Sequence, residues 1–420
     1  MPDMEGHQSS GGNMKLYPHQ EIARDFLLSR KRCILADSPR VGKTLAAVAA
    51  AMQHLPVLVV CPAVAKPVWK KAFEQLGITA VIVNGRKMAE ECVPGGVLIV
   101  NYDLLPNLTA INGWQTLIID EAHRIKTPTT KRTKVAMKLM KVTPVVYALS
   151  GTPIPNRPIE IWPLLHGLGI YKGSWLKFAY RYAKAWHSPW GLDVSGASNL
   201  PELKKALAPH VLRRTRADVF QNYQHPVISL IELDLPIDRR EKQFDSDALV
   251  DNPNLILALD GLAEVMREGG IRKVPLALDF IKGKLDDDPS ESLVVFAWHK
   301  DVAAMLNDGL KDYQPVMVTG ETPAADRQKN IEAFQSGEAK VIIGNIATLS
   351  EGVDLSKSST VIFVEATWAT SAFEQASARV ENIQKFGIAP AVYILTTRNS
   401  LDHTILQKVL KKLHIIDQIL

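Results

Sequence analysis

The chain has 420 residues, and at roughly 150 residues per domain this length predicts two or three domains. Hydrophobic residues make up 46% and charged residues 22%, a globular balance that excludes disorder along the whole length. Lysine and arginine outnumber aspartate and glutamate by 49 to 44. The resulting net charge of +5 permits a nucleic-acid partner without demonstrating one.

The sequence indicates neither secretion nor membrane insertion. No apolar stretch approaches the roughly 18 residues that a membrane span needs. The start, MPDMEGHQSSGGN, lacks the basic residues and apolar core of a secretory signal, so residues 1–13 are expected to be a disordered leader. Cys33, Cys61 and Cys92 are odd in number and lack metal-ligand spacing. These features predict reduced thiols, no membrane contact and a cytoplasmic location, in a nucleoid or in a host cytoplasm.

Two series of short apolar runs predict strands that are buried on both faces. The first series comprises residues 33–36, 57–60, 97–100, 117–119 and 145–149. The second comprises residues 293–296, 315–318, 341–343, 361–364 and 391–395. Because helix-like stretches separate the runs, each series predicts a parallel sheet flanked by helices.

The predicted fold class is therefore α/β, with two lobes and helical insertions. The predicted boundaries are 14–225 for the first lobe with an insertion at about 156–212, 226–290 for a connector and helical insertion, 291–400 for the second lobe, and 401–420 for a C-terminal helix.

The segment 36–44 has the composition of a phosphate-binding loop. It follows a predicted strand and ends in Gly42-Lys43-Thr44, where backbone N–H groups at a helix start attract phosphate oxygens. Lys43 is placed to reach the β and γ phosphates, and Thr44 to hold Mg²⁺. Asp37 stands where the loop pattern has its first glycine, so a plain strand–helix turn is the alternative.

Two further strand ends carry polar residues. Asp120 and Glu121 follow an apolar strand, where Asp120 is suited to hold Mg²⁺ and Glu121 to orient the attacking water. They come about 80 residues after the loop, and ligands of parallel sheets bind beyond the carboxyl ends of the strands. The Ser150-Gly151-Thr152 segment ends the next strand, and it suits either phosphate sensing or a simple turn.

Gln375 and Arg379 lie four residues apart on a predicted helix and share one face. An arginine there can stabilise charge on a transferring phosphoryl group, and an exposed surface arginine is the alternative. Trp69, Trp162 and Trp368 are predicted to pack in the core or at an interface rather than to stack on bases.

The order of these segments resembles that of the Swi/Snf family of DNA-dependent ATPases, within helicase superfamily 2, from about residue 15 to 400. The similar segments of the first half are LYPHQ (16–20), ADSPRVGKT (36–44), VLVVCPAVAKPVWKKAF (57–73), IVNYDLL (99–105), DEAHRIK (120–126), LSGTPIPNRPIEIWPLL (149–165) and HVLRRTRADV (210–219). Those of the second half are VVFAWHKDV (294–302), VTGETPAADRQKNIEAFQ (318–335), NIATLSEGVDLSKSSTVIFVEATW (345–368) and QASARVENIQK (375–385). The segment 294–302 is similar to the fork-remodelling, annealing-helicase branch.

The resemblance implies two RecA-like lobes that bind ATP and Mg²⁺ between them. The implied catalytic residues are Lys43, Asp120, Glu121 and Arg379, with Thr44 and Asp120 as metal ligands. The implied ATP-binding residues are Gln20, Asp37, Arg40, Gly42, Lys43, Thr44, Gly352, Asp354 and Gln375. Ser150, Gly151 and Thr152 are implied to couple the ATP and DNA sites. The implied DNA-binding residues are Lys66, Lys70, Asn101, Lys126, Arg132, Gly320, Arg327 and Thr348.

The chain departs from the family pattern at two places. Ser38, Pro39 and Arg40 stand where the family usually has Glu, Met and Gly. The final motif usually has two arginines three residues apart, and Asn382 stands in place of the second. Losing one such arginine can reduce the rate on the order of 10³-fold, unless Arg40 compensates.

These features predict an ATP-dependent translocase that moves on duplex or branched DNA. The expected tasks are fork remodelling, branch migration or strand annealing in replication, recombination or repair. Three alternatives stay open: an ATP-gated DNA clamp with weak hydrolysis, a remodeller that displaces proteins from DNA, and a strand-separating helicase. The sequence indicates no particular protein partner.

Overall fold

The computed structural model describes residues 15–85, 95–108, 112–188, 191–221, 223–244, 261–349, 353–365, 379–380 and 389–407. The chain forms two compact units. The first consists of Met1–Ile154 and Pro158–Thr215, and the second of Pro155–Arg157 and Arg216–Leu420. The predicted leader, residues 1–13, lies outside the described residues.

The first unit is built on a parallel sheet. Its strands are β1 (Arg32–Leu35), β2 (Val57–Cys61), β3 (Ala80–Ile82), β4 (Val97–Asn101), β5 (Thr116–Asp120), β6 (Val145–Leu149) and β9 (Val211–Leu212). Among the described residues their spatial order is β3-β4-β2-β5-β6-β1-β9. The register pairs Val57 with Val97 on one side and with Thr116 on the other.

Both faces of this sheet are buried, as the continuous apolar runs predict. Alternate residues such as Cys33, Val59 and Tyr147 belong to one core with α1, α2 and α3. The intervening residues, such as Ile34 and Leu58, are equally buried on the opposite face. The helices of this unit are α1 (Pro18–Arg30), α2 (Lys43–Ala51), α3 (Lys66–Glu74), α4 (Lys131–Val142), α5 (Trp162–Leu168), α6 (Trp175–Tyr182) and α7 (Leu200–Leu207). Short 3₁₀ helices span Ala63–Ala65, Leu105–Asn107, Ala122–Ile125 and Pro158–Ile161.

The segment 156–212, predicted as a helical insertion, also contains strands. β7 (Trp186–Ser188) and β8 (Gly191–Asp193) form an antiparallel hairpin. β9 pairs with β1 at the edge of the first sheet. These short strands were not predicted individually, because three or fewer residues per strand leave too short a pattern to detect.

The second unit contains a second parallel sheet. Its strands are β10 (Val227–Leu233), β11 (Leu293–Phe296), β12 (Pro315–Val318), β13 (Val341–Gly344), β14 (Thr360–Phe363) and β15 (Ala391–Thr397). Among the described residues they are ordered β10-β15-β14-β11-β13-β12. β10 lies within the stretch 226–290 that was predicted as connector and helical insertion, and it pairs with β15 over its whole length.

The helices of the second unit are α8 (Arg216–Val219), α9 (Leu262–Asp287), α10 (Lys300–Gly309), α11 (Ala324–Ser336) and α12 (Ile346–Leu349), with 3₁₀ helices at Arg239–Gln243 and Lys311–Tyr313. Residues 401–407 are helical, as expected for the start of a C-terminal helix, and residues 408–420 lie outside the described part. In the described residues no helix is long and apolar enough to cross a membrane. The α/β fold with two parallel-sheet lobes is confirmed.

Candidate nucleotide site and nucleic-acid interface

The predicted functional segments of the first unit follow five adjacent strands. Across the sheet the order is β1, β6, β5, β2 and β4. The phosphate loop follows β1, the Ser-Gly-Thr segment follows β6, and the acid pair ends β5. The segment containing Lys66 follows β2, and Asn101 ends β4. Because all these strands are parallel, the five segments lie along one edge of the sheet.

The phosphate loop leads directly into α2. Gly42 is the N-cap residue and has φ 92°, in the left-handed region where glycine is favoured. The Lys43 ammonium donates to the carbonyl oxygens of Asp37 at 2.7 Å and Ser38 at 3.1 Å. Lys43 therefore lies inside the loop, and the start of α2 presents its backbone N–H groups there.

The glutamine segment packs against this loop. Gln20 is buried, and its Oε1 accepts a hydrogen bond from the Tyr17 N–H at 3.0 Å. A Cβ added at Gly42 would lie 2.1 Å from Gln20 Nε2, so the loop needs glycine at this contact. His19 Nε2 lies 3.0 Å from the carbonyl oxygen of Val41. Gln20 and the loop therefore form one continuous surface.

Asp37 forms an ion pair that the sequence analysis missed. Arg214 donates from Nε to Oδ1 at 3.1 Å and from Nη2 to Oδ2 at 2.5 Å, and its Nη1 donates to the carbonyl oxygen of His19 at 2.8 Å. The Asp37 side chain is 1% exposed. The structure thus places the Asp37 carboxylate against Arg214, where it positions the loop. The contact predicted between Asp37 and nucleotide stays a prediction.

Arg40 lies in the phosphate loop with a backbone conformation that favours glycine. Its φ is 67°, a left-handed conformation that costs an ordinary L-residue roughly 1–2 kcal/mol. Arg40 therefore adds a cation to the loop at the expense of backbone strain.

The acid pair is held by two aromatic residues. Asp120 Oδ2 accepts from Trp69 Nε1 at 2.8 Å, and Oδ1 accepts from the Glu121 N–H at 3.0 Å. The Tyr102 hydroxyl donates to the carbonyl oxygens of Asp120 at 2.5 Å and Glu121 at 3.2 Å. Burial, followed by the neighbouring Glu121 carboxylate, raises the pKa of Asp120 to about 7.

The Ser-Gly-Thr segment links the acids to the phosphate loop. Ser150 Oγ lies 3.0 Å from His123 Nδ1 and accepts from the Thr152 N–H at 3.2 Å. His123 Nδ1 lies 3.4 Å from Glu121 Oε2. A Cβ on Gly151 would approach Pro39 Cδ to 3.0 Å. Ser150 and Gly151 therefore lie between the acid pair and the phosphate loop, where a displacement of one can alter the position of the other.

The donor set suits magnesium. In the described residues no group of three His, Cys, Asp or Glu side chains forms a metal cluster. Mg²⁺ commonly uses one or two carboxylates together with substrate phosphates and water. Asp120 ends β5 and Thr44 lies in the first turn of α2 beside the phosphate loop, and their role as Mg²⁺ ligands stays a prediction.

The predicted DNA-contact residues lie at the β2–β4 side of the same edge. Lys66 Nζ lies 3.1 Å from the Val83 carbonyl oxygen and 3.5 Å from Asn101 Oδ1. Lys70 pairs with Glu74 at 3.6 Å on the exposed side of α3. Asn101 is only 7% exposed, and its side-chain oxygen faces Lys66.

The basic residues that follow the acid pair lie in two environments, one partly buried and the other exposed to solvent. Lys126 Nζ lies 3.5 Å from Glu160 Oε1, whose side chain is 7% exposed. Arg132 is half-buried at the start of α4, and its Nε has no hydrogen-bond partner among the described residues. The exposed side of α4 carries Lys131, Lys134, Lys138 and Lys141.

The predicted sites of the second unit are partly described. Gly320 is open to solvent, and Arg327 Nη2 lies 3.4 Å from the Thr322 carbonyl oxygen. Thr348 is half-buried in α12. The Leu355 N–H donates to the Arg379 carbonyl oxygen at 3.2 Å, which brings Arg379 next to the Asp354 segment. Gly352, Gln375, Asn382 and Trp368 lie outside the described residues.

Trp69 and Trp162 are buried, as predicted for packing residues. The hydrogen bond of Trp69 to Asp120 was not predicted, and neither were the contacts of Tyr102 and Arg214. Trp69 lies within VLVVCPAVAKPVWKKAF and Tyr102 within IVNYDLL, so the motifs indicated that these two positions lie near the site. No local pattern shows that their side chains reach the acid pair.

The buried Asp37–Arg214 pair gives a first prediction. Arg214→Met keeps an unbranched apolar chain but leaves the Asp37 carboxylate buried without its cation. We expect the free energy of unfolding to fall by about 3 kcal/mol, since breaking a buried ion pair costs roughly 3–5 kcal/mol. Urea unfolding followed by circular dichroism measures this change.

The exposed Arg181–Glu202 pair is the matched control, because it has the same two-bond geometry with side chains 56% and 44% exposed. Arg181→Met should change the free energy of unfolding by about 1 kcal/mol or less. Equal losses in the two variants would contradict the role assigned to Arg214.

Comparison with known proteins matches two domain models in succession along the chain. The SNF2-related domain model matches residues 17–249, which is more than half of the chain, and the helicase conserved C-terminal domain model matches residues 273–384. The chain is 29% identical over 433 residues to the SWI/SNF-related matrix-associated actin-dependent regulator of chromatin subfamily A-like protein 1 of Xenopus tropicalis, with 96% of this chain and 45% of the relative covered. It is 28% identical over 400 residues to the mouse (Mus musculus) DNA annealing helicase and endonuclease ZRANB3, with 88% and 37% covered.

The chain thus spans less than half the length of these curated relatives. A solved structure of the Sulfolobus solfataricus SWI2/SNF2 ATPase core in complex with dsDNA aligns with a TM-score of 0.47 and 21% identity, over 97% of this chain and 93% of that chain. The match over residues 17–249 confirms the resemblance inferred from the motifs, and the chain belongs to the SNF2-related domain family.

Proposed function

We propose that this chain is an ATP-dependent DNA translocase of the Swi/Snf type. The observation that carries the proposal is the order of segments along the first sheet edge. The phosphate loop follows β1, the Ser-Gly-Thr segment follows β6, and the acid pair ends β5. The predicted DNA-contact segments follow β2 and β4. This arrangement joins a nucleotide site and a nucleic-acid surface through the acids.

The proposed hydrolysis uses residues of the loop and of β5. Lys43, which donates to loop carbonyls in this structure, is proposed to donate to the β and γ phosphates of ATP. Glu121 is proposed to orient the attacking water. Asp120 and Thr44 are proposed to hold Mg²⁺, which when bound offsets the negative charge of the phosphates. Gln20 and Gly42 shape the nucleotide surface.

The second unit is proposed to supply further nucleotide and DNA contacts. Arg379, beside the Asp354 segment, is the proposed source of positive charge for the γ-phosphate. Gly320, Arg327 and Thr348 are the proposed DNA contacts of this unit. Ser150, Gly151 and Thr152 are the proposed coupling residues of the first unit, supported by the hydrogen bonds of Ser150.

Branched DNA is the proposed preferred substrate. One of the similar proteins, from mouse, carries the name DNA annealing helicase and endonuclease. Together with the segment 294–302, this supports strand annealing, branch migration or fork remodelling as the task of this chain.

The second prediction concerns ATP turnover. We expect phosphate release to rise at least about tenfold when duplex or forked DNA is added, with forked DNA as the better activator. Glu121→Gln should lose about 10³-fold or more of the stimulated rate while keeping DNA affinity, because only water activation is removed. Steady-state phosphate release and fluorescence anisotropy measure the two quantities.

The exposed Glu202→Gln change on α7 is the control for removal of one negative charge. ATP and DNA binding without turnover in the wild-type protein would refute the motor and support the ATP-gated clamp.

The third prediction concerns α4 as a DNA surface. Lys131, Lys134, Lys138 and Lys141 are exposed at helical spacing, and α4 contains no acidic residue. Four exposed lysines on one side suit the phosphate backbone of duplex DNA. Changing all four to alanine should lower the slope of log affinity against log salt by up to about 3 to 4, since each phosphate contact contributes about 0.9. Anisotropy titrations from low to moderate salt give the slope.

A matched control changes four exposed lysines elsewhere in the first unit, Lys172, Lys177, Lys204 and Lys205, to alanine. The slope should stay within about one unit of the wild-type value in this variant. The same loss of slope in both variants would mean that net charge, rather than α4, sets the salt dependence.

A further inference from the structure

Two buried aromatic residues connect the predicted DNA-contact segments to the acid pair. Trp69 lies on α3 with Lys66 and Lys70, and Tyr102 follows Asn101 directly. Trp69 is 1% exposed and Tyr102 is 2% exposed. Their polar atoms converge on Asp120 and Glu121 at the end of β5.

The Trp69 contact is formed by a carboxylate oxygen. Its indole N–H donates to Asp120 Oδ2 at 2.8 Å, in a part-buried site at the end of β5. Hydrogen bonds to a charged partner are stronger than those between neutral groups. Lys66 and Lys70 lie on α3 with Trp69, so the predicted DNA contacts and the indole that holds Asp120 belong to one helix. DNA contact on α3 is therefore able to shift the Asp120 carboxylate.

The Tyr102 side chain contacts the backbone of the acid pair. The hydroxyl donates to the carbonyl oxygens of both Asp120 and Glu121. Glu121 has φ 50°, a left-handed conformation that is unfavourable for a residue with a Cβ. The single hydroxyl proton of Tyr102 is shared between these two carbonyl oxygens and so anchors the backbone on both sides of this conformation.

The two contacts also meet on the DNA side. Lys66 Nζ lies 3.5 Å from Asn101 Oδ1, so the residue before Tyr102 and the first residue of α3 touch each other. A phosphate that draws Lys66 away from Asn101 changes the surroundings of both aromatic residues. In this way one binding event reaches the carboxylate and the backbone of the acid pair together.

We propose that Trp69 and Tyr102 are positioning residues that transmit DNA contact at Lys66, Lys70 and Asn101 to the acid pair. This inference rests on the proposed function, since it specifies how DNA stimulates the same nucleotide site. Coupling between two ligands is reciprocal, so the relay affects ATP affinity in the presence of DNA as well as turnover.

The test measures a linkage that does not require hydrolysis. The affinity for a nonhydrolysable ATP analogue with Mg²⁺ is measured with and without duplex DNA, in the wild-type protein, Trp69→Phe and Tyr102→Phe. Each substitution removes one hydrogen-bond donor and keeps an aromatic ring. We expect the two wild-type affinities to differ by about fivefold or more, as is usual for coupled sites. In the variants the difference should fall to about twofold or less.

Turnover gives a second readout. The DNA-stimulated kcat should fall by about tenfold or more in each variant, the amount expected for one hydrogen bond to a charged or strained group. The rate without DNA should fall less, although the same hydrogen bonds also hold the acid pair when DNA is absent. The ratio of the rates with and without DNA should therefore fall by about fivefold or more, whereas the affinity for duplex DNA should change by about twofold or less. A merely structural loss would lower the rates with and without DNA in parallel and would overturn the proposal.

Two matched controls come from the same unit. Tyr147→Phe removes a buried hydroxyl that has no hydrogen-bond partner among the described residues. Trp162→Phe removes a buried indole N–H that donates to the Gly173 carbonyl oxygen at 3.3 Å. Both should keep the wild-type linkage. Thermal melting checks that all four variants are folded. If only one of Trp69→Phe and Tyr102→Phe folds, that variant alone is sufficient for the test.

The outcomes separate the relay from the proposed function. DNA stimulation and linkage in the wild-type protein that persist in both Trp69→Phe and Tyr102→Phe would overturn the relay alone. A wild-type protein without DNA stimulation or linkage would overturn the translocase and the relay together. Loss of linkage in the control variants as well would also overturn the relay, because it would show a general effect of core substitution.

Discussion

The parallel direction of the strands in the first sheet is the constraint on which the rest of the site depends. It places the carboxyl ends of β1, β6, β5, β2 and β4 side by side. With strands about 4.8 Å apart, the phosphate loop and Asn101 are separated by only about 20 Å along this edge. The acid pair occupies the middle position. The proposed nucleotide site at one end and the proposed DNA surface at the other therefore border β5 from opposite sides.

Specific contacts make this edge a connected surface. Arg214 ties the phosphate loop and the glutamine segment together through Asp37 and the His19 carbonyl. Ser150 touches the histidine that follows the acids, and Gly151 approaches Pro39 of the loop. Trp69 and Tyr102 continue the connection toward α3 and β4. Each neighbouring pair of segments thus shares at least one contact that a bound ligand can alter.

The sequence predicted the strands best where apolar residues are continuous. Val145–Leu149 and Leu293–Phe296 have the predicted bounds, because a strand buried on both faces needs no polar residue. Pro315–Val318 also has the predicted bounds, although this edge strand is only partly buried. β10 was missed since three of its apolar residues, Val227, Ile228 and Leu230, are exposed and its pattern is not that of a buried strand. The Asp37–Arg214 pair joins residues 177 positions apart, and local patterns contain no information on such a pairing. The motifs located the candidate site, whereas the contacts that connect its parts required the fold.

The measurement that tests the central claim most directly is displacement of a third strand from a DNA triplex. A protein that moves along duplex DNA removes the third strand only when ATP is hydrolysed, and it needs no strand separation to do so. We expect ATP-dependent displacement by the wild-type protein and none with Glu121→Gln or with a nonhydrolysable analogue. ATP turnover that is stimulated by duplex DNA but never displaces the third strand would contradict translocation.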